Sequence, residues 1–253
     1  MEIKVQGEFV PVALVQLAAG EEIYCEAGLM VYSDPSIRFA VRAMTQGGIG
    51  QIIRRTMVGG MPFFMHVYQG PGYAAFSRFS PGEVRSLELQ PGQTIDIAEH
   101  SLLIATRTVQ YSTFYVQGTG RIGRMIGFWM DRLTGPGTIV YHGHGNILGF
   151  DLKAGEAMDV DHGAVLRKDA TVTLRAFNQP LGGGLTGHAL SFEALHVEGP
   201  GRIELQTIDP SSLRAATEGG ASASSAPAQP PQSLAGALTK GAVGGLLGRL
   251  GGG

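Results

Sequence analysis

Three Gly-Pro-Gly phrases punctuate this chain: Gly70-Pro71-Gly72, Gly135-Pro136-Gly137 and Gly199-Pro200-Gly201, in steps of 65 and 64 residues. A second phrase keeps step with them. Leu17-Ala18-Ala19-Gly20-Glu21, Leu89-Gln90-Pro91-Gly92-Gln93 and Leu152-Lys153-Ala154-Gly155-Glu156 each sit between apolar alternating runs. Two independent markers recurring in one order define an internal repeat, and a repeat constrains the fold before any single residue does. A motif found in every repeat is read as scaffold. Gly70, Gly72, Gly135, Gly137, Gly199 and Gly201 are therefore structural turn residues, and function is sought in what does not repeat.

Each repeat reads as β-structure. Leu87-Glu88-Leu89, the Pro91-Gly92 turn and Thr94-Ile95-Asp96-Ile97 alternate with period two on either side of a turn, which is a hairpin signature. Proline falls at the turns, where it leaves the ladder intact. Glycine, 39 of 253 residues, is about twice its usual share, as a turn-rich β protein requires. The expectation is one all-β domain over residues 1–210. Its units run over about 1–72, 73–137 and 138–201, and Arg202 to Ile208 closes the structure against the N-terminal strand Ile3 to Val10. Closure would remove exposed sheet edges.

Beyond Pro210 the composition changes. Residues 215–232 hold only Ala, Thr, Glu, Gly, Ser, Pro and Gln, so 211–232 reads as a flexible linker. Residues 233–253 are rich in Gly and Leu, with leucines at roughly helical spacing. The interior glycines weaken that helix by about 1 kcal/mol each relative to alanine.

Charge is unremarkable. The formal net charge of −2 gives no global signal for nucleic acid, and nucleic acid is not expected as a partner. One cysteine, Cys25, forbids an internal disulfide. It reads as a buried, inert thiol in a cytoplasmic protein. No signal-peptide pattern opens the chain, and no apolar run is long enough for a transmembrane helix.

Several motifs invite a sharper reading. Gly118-Thr119-Gly120-Arg121-Ile122-Gly123 matches a dinucleotide fingerprint. Gly182 to Gly187 repeats the pattern at the equivalent place, so a structural bend is the better reading, and no cofactor is expected. His142 and His144 lie two residues apart on a strand and share a face. A metal-binding, cupin-like barrel would use such a pair, with His162 or His188 as a third ligand. The glycine-rich bends combine basic and apolar residues: Arg54, Arg55, Phe63 and Phe64 in the first unit, Arg121, Arg124 and Trp129 in the second. These form a candidate interaction surface for a protein partner, a membrane surface or a second copy in a homo-oligomer. No nucleophile-and-base arrangement stands out, so no catalytic residues are assigned and an enzyme is not expected.

Leu87-Glu88-Leu89-Gln90-Pro91-Gly92, Arg132-Leu133-Thr134-Gly135-Pro136-Gly137 and Glu198-Gly199-Pro200-Gly201-Arg202-Ile203-Glu204-Leu205-Gln206-Thr207 together resemble a widespread bacterial family. That family is related to the yeast mitochondrial-biogenesis protein "altered inheritance of mitochondria, number twenty-four". The resemblance spans about Lys4 to Ile208. It implies a fold similar to the trp RNA-binding attenuation protein: three β-sandwich or double-stranded β-helix modules with pseudo-three-fold symmetry. It brings no catalytic residues. The eukaryotic relative is linked to mitochondrial inner-membrane organisation; the repeat, the basic-apolar bends and the tail lead to the expectation of a non-enzymatic scaffold or interaction protein, cytoplasmic and peripheral at a membrane. A cupin-like metal or small-molecule binder using His142 and His144 is the alternative. Nucleic-acid binding by fold analogy is a second, and fold alone does not carry it.

Overall fold

In the computed structural model, residues 1–43, 64–116, 128–180 and 191–210 are described. They form an all-β protein of antiparallel sheets. An N-terminal strand, β1 (Glu2–Gln6), precedes three segments of like order. The first holds β2 (Val12–Leu17), β3 (Glu22–Glu26), β4 (Met30–Ser33), β5 (Arg38–Ala43), β6 (Phe64–Gln69) and β7 (Gly72–Phe76). The second holds β8 (Gly82–Leu89), β9 (Thr94–Ala98), β10 (Leu102–Thr106), β11 (Gln110–Val116), β12 (Phe128–Thr134) and β13 (Gly137–His144). The third holds β14 (Ile147–Leu152), β15 (Ala157–Asp161), β16 (Val165–Asp169), β17 (Thr173–Pro180), β18 (Ser191–Glu198) and β19 (Gly201–Gln206).

Within every segment the pairing is the same. The first, last and third strands form one ladder: β2-β7-β4, β8-β13-β10 and β14-β19-β16. The other three form a second ladder: β3-β6-β5, β9-β12-β11 and β15-β18-β17. A β-bulge falls at one matching place in each third strand, between Met30 and Tyr32, Leu102 and Ile104, and Val165 and Arg167. That register aligns the three segments residue by residue.

The two repeated phrases keep step because they touch. The strand entering each Gly-Pro-Gly turn lies in one ladder and the strand leaving it lies in the other, so the turn is a corner between sheets. Gly70, Gly135 and Gly199 donate their N–H groups to Glu21, Gln93 and Glu156, at 3.0, 2.9 and 3.0 Å. A Cβ at any of these glycines would overlap the carbonyl oxygen of Ala18, Gln90 or Lys153. Gly72, Gly137 and Gly201 have φ of 137°, 144° and 138°, backbone that favours glycine. The Gly-Pro bond is cis in all three turns. The last residue of the second phrase caps its own turn. Oxygens of Glu21, Gln93 and Glu156 accept from the N–H of Ala18, Gln90 and Lys153, at 2.8, 3.0 and 2.8 Å.

Two corrections to the sequence reading follow from this pairing. The strand after each turn returns to the segment before it and does not open the next one, so the segments end near residues 76, 144 and 206. The last strand, β19, does not close against the N-terminal strand. It pairs with β14 and β16, while β1 pairs with β2. The physical reason is the corner: its geometry delivers the outgoing strand beside the phrase it packs on.

Segments join through their ladders. β3 pairs with β10, and β9 pairs with β16, making two continuous six-stranded sheets. Such joints bury strands on both faces: Leu102 to Ala105 and Val165 to Lys168 are buried. One core cluster draws on all three segments, with Tyr24, Met65 and Val67, then Leu89 and Ile139, then Ile147 and Leu166. The third joint that a pseudo-three-fold arrangement requires, β15 with β4, is not formed among the described residues. The tail beyond residue 210, both glycine-rich fingerprints, Arg54, Arg55, Phe63, Arg121, Arg124 and His188 lie outside the described residues.

Candidate functional site

The formed joints hold buried charge. In the first, the Arg78 guanidinium lies 3.0 Å from a carboxylate oxygen of Glu26 and donates to the Leu102 carbonyl at 2.9 Å. His100 Nδ1 lies 3.1 Å from the same Glu26 oxygen. Burial works against the Glu26 charge, yet His100 and Arg78 together hold its carboxyl below the usual range. The Glu26 hydrogen bond pushes His100 up. Asp131 is fully buried, and Tyr111 donates its hydroxyl to it at 2.7 Å. Burial pushes this carboxyl up to about 8, against the Tyr111 hydrogen bond. In the second joint, Asp96 meets Lys168 at 2.8 Å and takes both arms of Arg132 at 2.7 and 3.0 Å. Beside it Glu204 accepts from Tyr141 at 2.6 Å and lies 3.5 Å from Arg167 and 3.3 Å from Arg85. Several of these contacts cross from one segment to the next: Arg78 to Leu102, Lys168 to Asp96, and Arg85 and Tyr141 to Glu204. Their chemistry is that of fixing segments in register.

His142 and His144 do share a face, with ring centroids 4.9 Å apart and planes at 82°. The packing is edge-on. His142 is buried, and burial pushes it down to about 4, so it is neutral at pH 7. Its Nε2 lies 3.2 Å from the Ser80 carbonyl, and His144 Nδ1 lies 3.3 Å from the Ser80 hydroxyl. Among the described residues no group of three His, Cys, Asp or Glu is placed to hold a metal ion. His162 sits in a 3-10 turn next to Asp161. Cys25 is buried, and burial pushes its thiol up to about 12.

The exposed chemistry lies elsewhere, on the third and fourth strands of the first segment. Met30, Tyr32, Phe39 and Val41 are 40%, 47%, 55% and 55% exposed. A cavity of about 240 Å³ opens among them, lined by Gly28, Met30, Ser33, Ile37, Phe39, His66 and Tyr68. Phe39 packs its ring edge-on to His66 at 4.9 Å and tilted to Tyr68 at 5.5 Å. Tyr68 is backed by Phe76, and burial pushes its hydroxyl up to about 12. The walls are apolar, with ring faces and edges for a partner's side chains.

The repeat makes that exposure informative. By the shared bulge, Met30, Val31 and Tyr32 correspond to Leu102, Leu103 and Ile104, which are buried. Phe39 corresponds to Tyr111, also buried. The first segment thus shows to solvent the face that its neighbours bury in a joint. β4 pairs with β7 and has no partner on its other side among the described residues.

Of the surface residues proposed from sequence, Trp129 lies on β12 with its ring 5.3 Å from Tyr115, and Phe64 opens β6. The exposed stripe on β4 and β5 was missed. Its alternation looks like any strand's, and only alignment of the three segments marks it as unusual.

A family model described as "Mitochondrial biogenesis AIM24" matches residues 3–208. The chain belongs to this family. The AIM24 match spans nearly all of the described β domain, short by two residues at each end. A solved structure of a protein from Streptococcus pyogenes is similar, at 20% identity and a TM-score of 0.64. It covers 86% of this chain and 98% of that one, and supports the fold. No match was found among curated proteins. Among the described residues no helix is long and apolar enough to cross a membrane.

Proposed function

We propose that this AIM24 family member is a non-enzymatic scaffold that works by binding another protein through the β4–β5 face. The observation that carries the reading is the exposure of Met30, Tyr32 and Phe39 beside a strand edge, at positions the second segment buries, with Val41 exposed next to them. An apolar stripe alone would suit lipid as well as protein. An unpaired edge does not, because its N–H and C=O groups need a chain that returns hydrogen bonds, and lipid tails return none. A role in mitochondrial biogenesis or its bacterial counterpart, including work at a membrane surface, is compatible with a scaffold of this kind.

The test compares full-length protein with the double variant Phe39→Glu/Val41→Glu. Each substitution removes an apolar contact of about 1.5–3 kcal/mol, so binding should weaken at least about tenfold. Sedimentation velocity, quantitative pull-down and flotation on anionic vesicles are read in parallel. Association that the variant loses, without flotation, supports the reading. Equal behaviour of the two proteins in all three assays refutes it, and flotation lost in the variant reassigns the face to lipid.

A further inference from the structure

Among the described residues, the first and third segments each lack a neighbour of a kind the chain itself supplies elsewhere. β10 and β16, the third strands of their segments, each lie between two partners: β13 and β3, and β19 and β9. β4, the third strand of the first segment, has β7 alone among the described residues. β3 and β9, the second strands, are likewise flanked on both sides, while β15 has β18 alone among the described residues. The strand missing beside β4 is of the β15 type, and the strand missing beside β15 is of the β4 type. Both halves of one unfilled joint are therefore present on one chain, among the described residues.

We infer that a second copy of this chain fills the joint, β4 of one copy pairing antiparallel with β15 of the next; the inference rests on the reading of the chain as an interaction protein. The formed joints fix the register. Ala105 faces Tyr24 in one and Lys168 faces Asp96 in the other. The aligned residues of the third joint are Ser33 and Asp159, with Asp34 facing Met158 one step along. The chemistry at that position is complementary. Arg132 holds Asp96 from the neighbouring strand and Lys168 meets it across the joint. His196 holds Asp159 in the same way, with Nδ1 2.7 Å from the carboxylate. The Ser33 hydroxyl then takes the place of the Lys168 ammonium as the donor from across the joint. Met30, Tyr32 and Phe39 would be covered as Leu102, Ile104 and Tyr111 are.

A second copy suits the joint better than the chain's own β15. The first and third segments are each locked to the second by a continuous six-stranded sheet. Bringing β15 onto β4 within one chain would require the segments to move against those sheets, whereas pairing with a second copy leaves both sheets as they are. The contact is heterologous, head to tail, so it closes into a ring or extends according to the rotation between copies.

Single-cysteine variants test the pairing. Ser33→Cys and Asp159→Cys are prepared separately, mixed and oxidised. Directly opposed residues of antiparallel strands lie within disulfide reach, and Cys25 is buried. The expected result is a disulfide-linked dimer from the mixture and none from either variant alone, with wild-type protein self-associating in sedimentation velocity. Asp34→Cys with Met158→Cys repeats the test one register step away should either first variant fold poorly, as judged by circular dichroism. A double variant, Ser33→Cys/Asp159→Cys, that links only within itself shows closure inside one chain and overturns the proposal. Wild-type protein that stays monomeric at its highest attainable concentration also overturns it. If no pair links while Phe39→Glu/Val41→Glu still loses a different protein partner, the second copy is wrong and the interaction surface stands.

Discussion

Replacing Asp131 with asparagine should stabilise this protein at neutral pH, although it removes a buried carboxylate with a short hydrogen bond. Asp131 has no exposed surface, and its Oδ2 has no hydrogen-bond partner among the described residues. Burial raises its pKa from the ordinary 3.8 to about 8. The folded state thus holds the proton more tightly than the unfolded chain does. Its contribution to stability is fully present below the unfolded value and is lost as pH rises through the folded one. Each pH unit above 3.8 costs ~1.36 kcal/mol, so the ceiling at pH 7 is ~4 kcal/mol. Relaxation around the site lowers that figure, but not its sign. Asparagine mimics the protonated acid: its Oδ1 still accepts from Tyr111, and its amide takes the place of the unpartnered oxygen. Denaturant unfolding of both proteins across pH 3 to 9 measures the difference directly, and the titration of Glu26 and other carboxyls cancels. The variant's advantage should be near zero at the acid end, grow toward pH 8 and then level off. An increase of even ~1 kcal/mol raises Tm by ~2–4 °C in a chain of this size. A variant less stable at pH 7, or a difference that does not change with pH, would refute the reasoning.

Three further outcomes follow from the repeat. Gly135→Ala drives a Cβ into the Gln90 carbonyl and should lower stability by about 2–4 kcal/mol. Gly92→Ala meets open space at φ 78° and should lose only about 1–2 kcal/mol, so equal losses in thermal melts would count against the corner packing. Leu103→Ala empties a buried site and should cost about 2–5 kcal/mol, while Val31→Ala at the aligned exposed position should change stability by less than about 0.5 kcal/mol. Similar melts for the two would mean that the first segment's face is covered in the free chain. Cys25 should resist a thiol reagent at pH 8 in the native state and react fully in denaturant; rapid native labelling would contradict its burial.

Much of the scaffold was legible because its constraints are local. Gly70, Gly135 and Gly199 recur because a backbone carbonyl occupies the space of a Cβ, and Glu21, Gln93 and Glu156 recur because each caps its own turn. Such requirements leave the same letters in every copy. Strand partnership leaves weaker marks. Nothing in Gly72-Tyr73-Ala74-Ala75-Phe76 states that it returns to β2 and β4, so the segment limits were drawn too early and β19 was assigned the wrong neighbour. Nothing in the sequence marks Asp131 and Glu204 as buried, since burial at a joint depends on which segment lies opposite. The histidine pair was visible as a spacing, but its edge-on packing and the burial that keeps His142 neutral depend on the tertiary fold.

The joints also explain why tandem repeats of one fold assemble in a single order. A chain with three like modules risks pairing the wrong ones, and discrimination requires that wrong pairs cost more than right ones. The facing pair is Tyr24 with Ala105 in one joint and Asp96 with Lys168 in the other. Setting β16 against β3 would bury the Lys168 ammonium opposite Tyr24, away from Asp96, and an unpaired buried charge costs several kcal/mol. Setting β10 against β9 would leave Asp96 with Arg132 but without Lys168. The substitution Lys168→Ala therefore removes more than one ion pair: it makes the two facing sites alike in β10 and β16. Its folding should slow, with a misassembled species appearing in refolding kinetics, and Asp96→Tyr/Lys168→Ala, which copies the first joint into the second, should worsen that misassembly while improving native packing relative to Lys168→Ala alone. Single-phase refolding of both variants at the wild-type rate would show that the charges serve stability and not order.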